Sequence, residues 1–306
     1  MSQVSPCVKI ASIALFLFAP LPWAKADESK LFIFWDTVSP NGKYALGWST
    51  AASNDSDDLA NETYADDSDI KNGLVDVASR KMLLVLPGAR YWDLPGGGNA
   101  NHFSIWTVWS DDSASLLAIY DSRYATDQVY LLDVKTMRVK ALFDDLRSAF
   151  NQAVRDKAAS YYHKYKKEYS IYFSDPWFVG RDRCELNGST FVSKFDDNSV
   201  SFDLTFQFTP TGKLPTIKLG KEDENAEESD DRQLNRAYRS LIGLLTPDER
   251  KALIEEERAW IGQRDAAKSA KAKSDLLKAR IQTLEDRRQA KIDALRAADA
   301  DKMPKN

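Results

Sequence analysis

Few side chains in this 306-residue chain have types and spacing suited to catalysis. Its two histidines, His102 and His163, match no triad or zinc spacing, and no G-x-S-x-G or H-E-x-x-H motif occurs. The glycine-rich loop before His102 is followed by a strand pattern, whereas a phosphate-binding loop opens a helix. The residues therefore predict no catalytic group and no cofactor.

An acidic segment at residues 53–69 has a composition that can attract Ca²⁺. It lacks the D-x-[DN]-x-[DN]-G spacing and the closing Glu of an EF-hand loop. We therefore predict an acidic surface loop and no metal site. The carboxylates concerned are Asp55, Asp57, Asp58, Glu62, Asp66, Asp67 and Asp69.

Residues 1–26 have the pattern of a secretory signal peptide. Lys9 supplies positive charge, an apolar core of about ten residues follows, and Ala24-Lys25-Ala26 is an A-x-A cleavage site. That core is too short to span a bilayer, which takes roughly 20 residues, and no second span is predicted. We expect cleavage after Ala26 and a periplasmic or secreted protein.

The charge balance is mildly acidic, with 42 basic and 46 acidic residues, a net charge of −4. Loss of Lys9 and Lys25 with the leader leaves 40 basic residues and a net charge of −6. This balance argues against a nucleic-acid partner. Cys7 also leaves with the leader, so Cys184 has no internal partner and is predicted to be a buried small hydrophobe.

Residues 27–220 repeat a pattern of strand, polar turn and strand about three times. An amphipathic helix is predicted within them at 143–169, because apolar residues recur there at i+3 and i+4. These units resemble β-propeller blades, and a closed propeller typically needs four or more. We predict an antiparallel β domain, either an incomplete propeller or a sandwich, with one inserted helix.

An acidic linker at 221–231 then separates this β domain from a helical domain at 232–306. Thr246-Pro247-Asp248-Glu249 predicts a helix start with a capping box. Leu234, Tyr238, Leu241 and Leu245 share one helical face before it, which predicts an αα-hairpin. Seven-residue spacing extends the second helix toward residue 300 as a coiled-coil-like arm, with a break near 269–274. The fold class is therefore α+β.

The helical region also resembles a known family. It carries L-N-x-x-Y-x-x-L from Leu234, then Arg258-Ala-Trp260 and Arg264-Asp265, and this pattern is similar to that of the LprI-type lysozyme inhibitors. The resemblance covers roughly residues 228–300. Two positions depart from the family pattern: Glu257 replaces the usual Gln, and Lys268-Ser269 occupies the place where a Cys usually follows.

Five residues of this pattern are candidates for a binding site. As a recognition surface they would contact a protein partner; as a structural network, Asn235 and Asp265 would satisfy Arg264 while Trp260 fills the core. Both interpretations stay open from the sequence. The candidates are Asn235, Tyr238, Trp260, Arg264 and Asp265.

The sequence thus favours an exported, non-catalytic module that binds a protein at the cell envelope. The resemblance implies lysozyme as the partner and inhibition as the activity. One alternative is an envelope scaffold or assembly protein that uses the long C-terminal helix. A second alternative is a hydrolase acting at the β domain, which would need His102 and a carboxylate to converge.

Overall fold

The computed structural model describes twelve β-strands and five α-helices. The predicted signal peptide, the acidic 53–69 segment, His102 with its glycine-rich loop, and residues 221–229 of the predicted linker lie outside the described residues. The described residues are 30–50, 70–93, 103–123, 125–165, 168–179, 183–192, 200–207, 216–219 and 230–300.

The strands form three four-stranded antiparallel sheets in which neighbours along the chain pair with each other. Sheet 1 contains β1 (Lys30–Ile33), β2 (Tyr44–Thr50), β3 (Lys71–Asp76) and β4 (Lys81–Val85). Sheet 2 contains β5 (Ser104–Trp109), β6 (Ser115–Asp121), β7 (Thr126–Asp133) and β8 (Arg138–Ala141). Sheet 3 contains β9 (Ser170–Val179), β10 (Arg183–Phe191), β11 (Ser201–Gln207) and β12 (Thr216–Leu219).

The sharp turns between these strands follow from their polar residues. Between β1 and β2, Gly42 takes the left-handed region at φ 72°, and Asn41 Oδ1 accepts hydrogen bonds from Ser39 Oγ and Lys43 N. Between β7 and β8, Asp133 Oδ1 accepts from the amides of Lys135 and Thr136 at 2.9 and 3.2 Å. Such side-chain acceptors replace ladder bonds at a turn, so the chain reverses into an antiparallel neighbour.

Two helices connect sheets 2 and 3, where a single helix over 143–169 was expected. Helix α1 (Phe143–Lys157) ends at Ala158, whose φ and ψ are −126° and 49°, and α2 (Ala159–Tyr165) follows. The change of direction lets Tyr161 of α2 donate a 2.7 Å hydrogen bond to Thr190 of β10. The expected helix extended to residue 169, whereas α2 ends at Tyr165 and β9 begins at Ser170.

Sheet 2 contributes to two cores because its alternate side chains leave opposite faces. Leu116 and Ala118 belong to a core shared with sheet 1, and Leu117 and Ile119 to a core shared with α1 and sheet 3. Cys184 is fully buried in the second core, as predicted, and burial raises the pKa of its thiol.

The C-terminal part is a bundle of three helices: α3 (Asp230–Leu244), α4 (Pro247–Ala266) and α5 (Ala270–Ala300). The predicted capping box at the start of α4 is confirmed, because Thr246 Oγ1 accepts from Glu249 N at 3.4 Å and Glu249 Oε2 accepts from Thr246 N at 2.8 Å. The chain reverses at residues 267–269, so the seven-residue register does not continue through one arm, and α5 runs back along α3 and α4. These elements confirm the α+β class.

Helix α3 contacts all three sheets. Leu244 joins a core with Ile33 and Val75 of sheet 1. Arg239 pairs with Asp111, in the β5–β6 turn of sheet 2, at 2.8 Å. Arg232 pairs with Glu185 of sheet 3 at 3.0 Å. The helical bundle is therefore packed directly against the β region.

The C-terminal turns of α5 are held against sheet 1. Asp299 accepts from Trp35 Nε1 at 2.9 Å and pairs with Arg80 at 2.7 Å. One turn earlier, Arg296 lies 3.3 Å from the half-buried Asp93. No described helix is both long and apolar enough to cross a bilayer.

Candidate functional site

The two aromatic candidates, Trp260 and Tyr238, lie at the centre of the three-helix bundle. Trp260 is 8% exposed and belongs to a core with Leu234, Leu241 and Leu284. Tyr238 is half-buried against the same core, and this burial, with the nearby Glu257 carboxylate, raises the pKa of its hydroxyl. Their contacts inside the bundle are those of packing residues.

The three polar candidates do not converge on one point. The Arg264 guanidinium lies 5.4 Å from the centre of the Trp260 ring and 3.1 Å from Asp265 on the same helix. The Asn235 amide donates to the Asp231 carbonyl one turn earlier, at 2.8 Å. Arg264 and Asp265 thus form a local pair over the tryptophan, and Asn235 stands apart from it.

The bundle has a groove where the end of α3 meets α4 and α5, with a volume of about 430 Å³. We call it the helix groove. Its floor is apolar and its rim carries two carboxylates and two cations. The floor is formed by Leu241, Leu245, Ala252, Leu253 and Ala290, and the rim by Glu249, Glu256, Arg287 and Lys291.

The rim charges are arranged as ion pairs between α4 and α5. Glu249 lies 2.8 Å from Lys291, and Glu256 lies 2.7 Å from Arg287. The hydrogen bond from Lys291, followed by the bond from the Thr246 amide, lowers the pKa of Glu249 to about 2. The bond from Arg287 likewise lowers the pKa of Glu256. Both carboxylates are therefore ionised at neutral pH.

A third cross-helix pair, beyond the groove, is buried. Arg280 is 7% exposed and lies 2.6 Å from Glu256, while its Nε donates to Glu257 at 2.7 Å. The Glu257 side chain is 13% exposed. Glu257 is also the position where the family pattern usually has Gln, so this departure supplies a second carboxylate, beside Glu256, for the buried arginine.

The second departure from the family pattern lies in the turn between α4 and α5. Ser269 accepts a hydrogen bond from the Ala272 amide at 3.1 Å through its hydroxyl, which caps the first turn of α5. The position that would otherwise carry a cysteine therefore contributes a helix cap.

Neither the helix groove nor the Arg280 pair was predicted from the sequence. A signal for the pair was present, because Arg280 falls among Leu277, Ile281 and Leu284 on one helical face. An arginine inside an apolar stripe needs a buried partner, and the run of glutamates at 255–257 could have supplied it. The groove had no such signal, since it forms from three helices at once.

The remaining reactive side chains form no centre in the part of the chain that the structure describes. His163 lies on the exposed side of α2 with its ring against Tyr162. No group of three or more His, Cys, Asp or Glu residues within the described ranges could hold a metal ion.

Comparisons with known proteins give one match. No curated protein and no solved structure matches the chain. A family model matches residues 223–299, which contain the capping box, the Trp260 core and the helix groove. This confirms the resemblance predicted from the spacing of Leu234, Tyr238 and Trp260. The C-terminal region of this chain, residues 223–299, is similar to the family described as lysozyme inhibitor LprI.

Proposed function

We propose that this protein is an exported, non-catalytic, protein-binding module of the cell envelope and that its C-terminal helices inhibit a lysozyme. The observation that carries the proposal is the family match over residues 223–299. Lysozyme acts on the cell wall, so an inhibitor must be exported. The signal peptide predicted at residues 1–26 is the basis for placing the protein in the periplasm or outside the cell.

The helix groove is the surface we assign to the partner. Its floor offers Leu241, Leu245 and Leu253 between two exposed alanines, Ala252 and Ala290, so a partner side chain could enter without displacing the bundle core. Apolar contact at the centre of an interface with charges at its rim is the usual anatomy of protein recognition.

Charge supports a basic partner, and lysozymes are often basic. Without its leader the chain has a net charge of −6, so it would attract such a protein from a distance and raise the association rate. The carboxylates of Glu249 and Glu256 on the groove rim stay ionised at neutral pH and can accept from a partner's lysine or arginine. The cationic rim residues Arg287 and Lys291 would then exchange partners on binding.

The candidate residues predicted from the sequence contribute differently in this proposal. Trp260 and Tyr238 hold the three helices together and so shape the groove from within. Arg264 and Asp265 lie toward the other end of α4, about four turns from Glu249. We propose that these four residues support the bundle and that the groove makes the contact.

The test uses two pairs of substitutions at exposed alanines. Ala252→Gln with Ala290→Gln would fill the groove, and Ala279→Gln with Ala294→Gln would place the same side chains on α5 outside it. The proteins would be compared as inhibitors of a basic lysozyme that clears a cell-wall suspension. We expect at least about tenfold weaker inhibition from the groove pair and unchanged inhibition from the control pair.

Two results would count against the proposal in different ways. If the wild-type protein leaves lysozyme activity unchanged, the function is wrong. If the wild-type inhibits and the groove pair inhibits equally well while retaining its melting temperature, the function stands and the surface is wrong.

A further inference from the structure

The turn between α4 and α5 carries an excess of positive charge that is separate from the helix groove. Four lysines in this turn and in the first half of α5 are exposed, and within the described residues none has a carboxylate within 4 Å. We call them the tip lysines. They are Lys268, Lys271, Lys273 and Lys278.

From Arg280 onward, α5 is the opposite case. Each cation there pairs with a carboxylate of α4, of α5 itself or of the β region. Arg288, for example, pairs with Glu285 at 3.2 Å, and Arg296 pairs with Asp93 at 3.3 Å. The same helix therefore neutralises its charges where it packs and leaves them open at its free end. The paired cations are Arg280, Arg287, Arg288, Lys291 and Arg296.

Two of the tip lysines occupy positions that disfavour a cation. Helix α5 begins at Ala270, so Lys271 and Lys273 lie in its first turn, which has no acidic residue. The unpaired amides of a first turn carry partial positive charge and favour anions. Lysines in the first turn therefore weaken the helix. Residues that disfavour the local structure in this way are expected where a side chain serves an external ligand.

The carboxylates near the tip do not cancel this charge. Asp265 is already bound to Arg264 at 3.1 Å. Asp275 is exposed on α5 with no carboxylate–cation contact within 4 Å among the described residues. Counting Arg264 and the tip lysines against Asp265 and Asp275 leaves a net charge of +3 over residues 264–278.

The shape of the tip is convex, because it is a turn joining the ends of two helices. No hydrogen bond or ion pair within the described residues connects residues 258–279 to a strand. Exposed lysines with long flexible stems on a convex turn suit a flat anionic surface better than an enclosed ligand.

We propose that the tip lysines dock this protein on the surface of a membrane rich in anionic phospholipid. The complementarity is between the exposed ammonium groups of the four tip lysines and a plane of lipid phosphates. Clusters of four or more lysines on helices bind anionic lipid in this way. An acidic protein segment is the competing ligand, but its recognition would favour arginines in fixed forks, and the tip has lysines.

The experiment is co-sedimentation of the full chain without its leader with two kinds of vesicle. One kind contains phosphatidylglycerol in phosphatidylcholine, and the other contains phosphatidylcholine alone. The test variant changes all four tip lysines to Gln. The control variant changes four exposed cations elsewhere to Gln and so has the same net charge. The control set is Lys71, Lys81, Arg138 and Lys251.

We expect the wild-type and control proteins to sediment with the phosphatidylglycerol vesicles and not with phosphatidylcholine alone. The tip variant should bind at least about tenfold more weakly, since each lysine near such a surface contributes roughly fivefold. Binding should also weaken with added salt.

Absence of wild-type binding to the anionic vesicles would overturn the proposal, as would equal loss in the tip and control variants. Retention on immobilised polyglutamate without vesicle binding would assign the tip to an acidic protein and overturn the lipid docking. Because the tip lysines lie outside the helix groove, lysozyme inhibition by the tip variant should be unchanged. The two proposals can therefore fail separately.

Discussion

The guanidinium of Arg280 and the carboxylate of Glu257 meet in the interior of the helical bundle, with Nε 2.7 Å from Oε1. The pair links α5 to α4 one helical turn from Trp260 and Leu284, which are both core residues. Burying a charge is costly unless it is paired, so Glu257 depends on Arg280, whereas Arg280 also has Glu256 as a partner at 2.6 Å.

Replacing Arg280 with Ala should lower the free energy of unfolding by about 3 kcal/mol, because Glu257 would lose its buried counter-charge. Glu257→Gln should cost less, because Glu256 still pairs with Arg280 at 2.6 Å. The matched control is Arg288→Ala, whose i,i+3 surface pair with Glu285 is worth at most about 1 kcal/mol. Urea titration of helical circular dichroism measures all three, and equal losses for Arg280→Ala and Arg288→Ala would refute the prediction.

The stabilising contribution of Glu249 should be lost in acid. Its folded pKa of about 2 lies below the ordinary value of 4.5, because the carboxylate accepts from Lys291 and the Thr246 amide. The contribution of the ionised Glu249 carboxylate to the free energy of unfolding is complete above about pH 4.5 and is lost as the pH falls toward 2. We expect Glu249→Gln to reduce the slope of melting temperature against pH in that window. Parallel curves for the wild-type and variant proteins would contradict this account.

Asp93 should have the opposite effect on the pH dependence of stability: it should stabilise the folded protein more in acid than at neutral pH. Burial raises its pKa from 3.8 to about 6, although Arg296 works against the rise. The folded protein binds this proton more tightly, so the stabilisation from the protonated acid is present below about pH 3.8 and is lost as the pH rises through 6. Asp93→Asn should therefore gain stability relative to wild-type between pH 4 and pH 7. Unfolding free energies of the two proteins at those two pH values check this, and a constant difference would count against it.

Two glycines should respond to alanine in opposite directions. A Cβ at Gly188 would lie 2.6 Å from the Phe150 ring, which is fully buried between α1 and sheet 3. Gly188→Ala should destabilise the protein by about 1–3 kcal/mol. Gly262 is exposed inside α4 with no neighbour within 4 Å, so Gly262→Ala should stabilise by about 0.5–1 kcal/mol. Thermal and urea unfolding measure both. Unchanged or increased stability in Gly188→Ala would contradict the close packing of Phe150, and a loss of stability in Gly262→Ala would contradict the second prediction.

Much of the helical region could be predicted because its signals are local. The capping box at Thr246 and Glu249 depends on four consecutive residues, and the face of Leu234 and Leu241 depends on helical spacing alone. The hairpins of sheets 1 and 2 were predicted for the same reason, since short polar turns separate their strands.

Strand β9 was missed for a physical reason. Pro176 argues against a strand, yet β9 is at the edge of sheet 3 and shifts register beside Asp175, whose φ is 51°. An edge strand with a bulge accommodates a proline that a central strand would exclude. The break at Ala158 was also missed, because the apolar spacing from Phe143 to Tyr165 continues across it.

The helix groove depends on long-range contacts and has no local signal. It exists because α5 reverses at residues 267–269 and lies across α3, which brings Ala290 opposite Ala252 and Leu245. The spacing of Leu253, Trp260 and Ile281 suggested one arm with a break near 269–274, whereas the chain reverses at 267–269 and Ile281 lies on the returning helix. The helix groove could therefore be identified only from the three-dimensional packing of the three helices.

The measurement that tests the central claim most directly is a titration of lysozyme with the full chain lacking its leader. The rate of cell-wall clearing would be followed at fixed enzyme concentration as the protein is added. Inhibition by the helix groove predicts that the rate falls with added protein and levels off near one equivalent. A clearing rate that stays unchanged at large excess of folded protein, for every basic lysozyme tried, would contradict the proposed function.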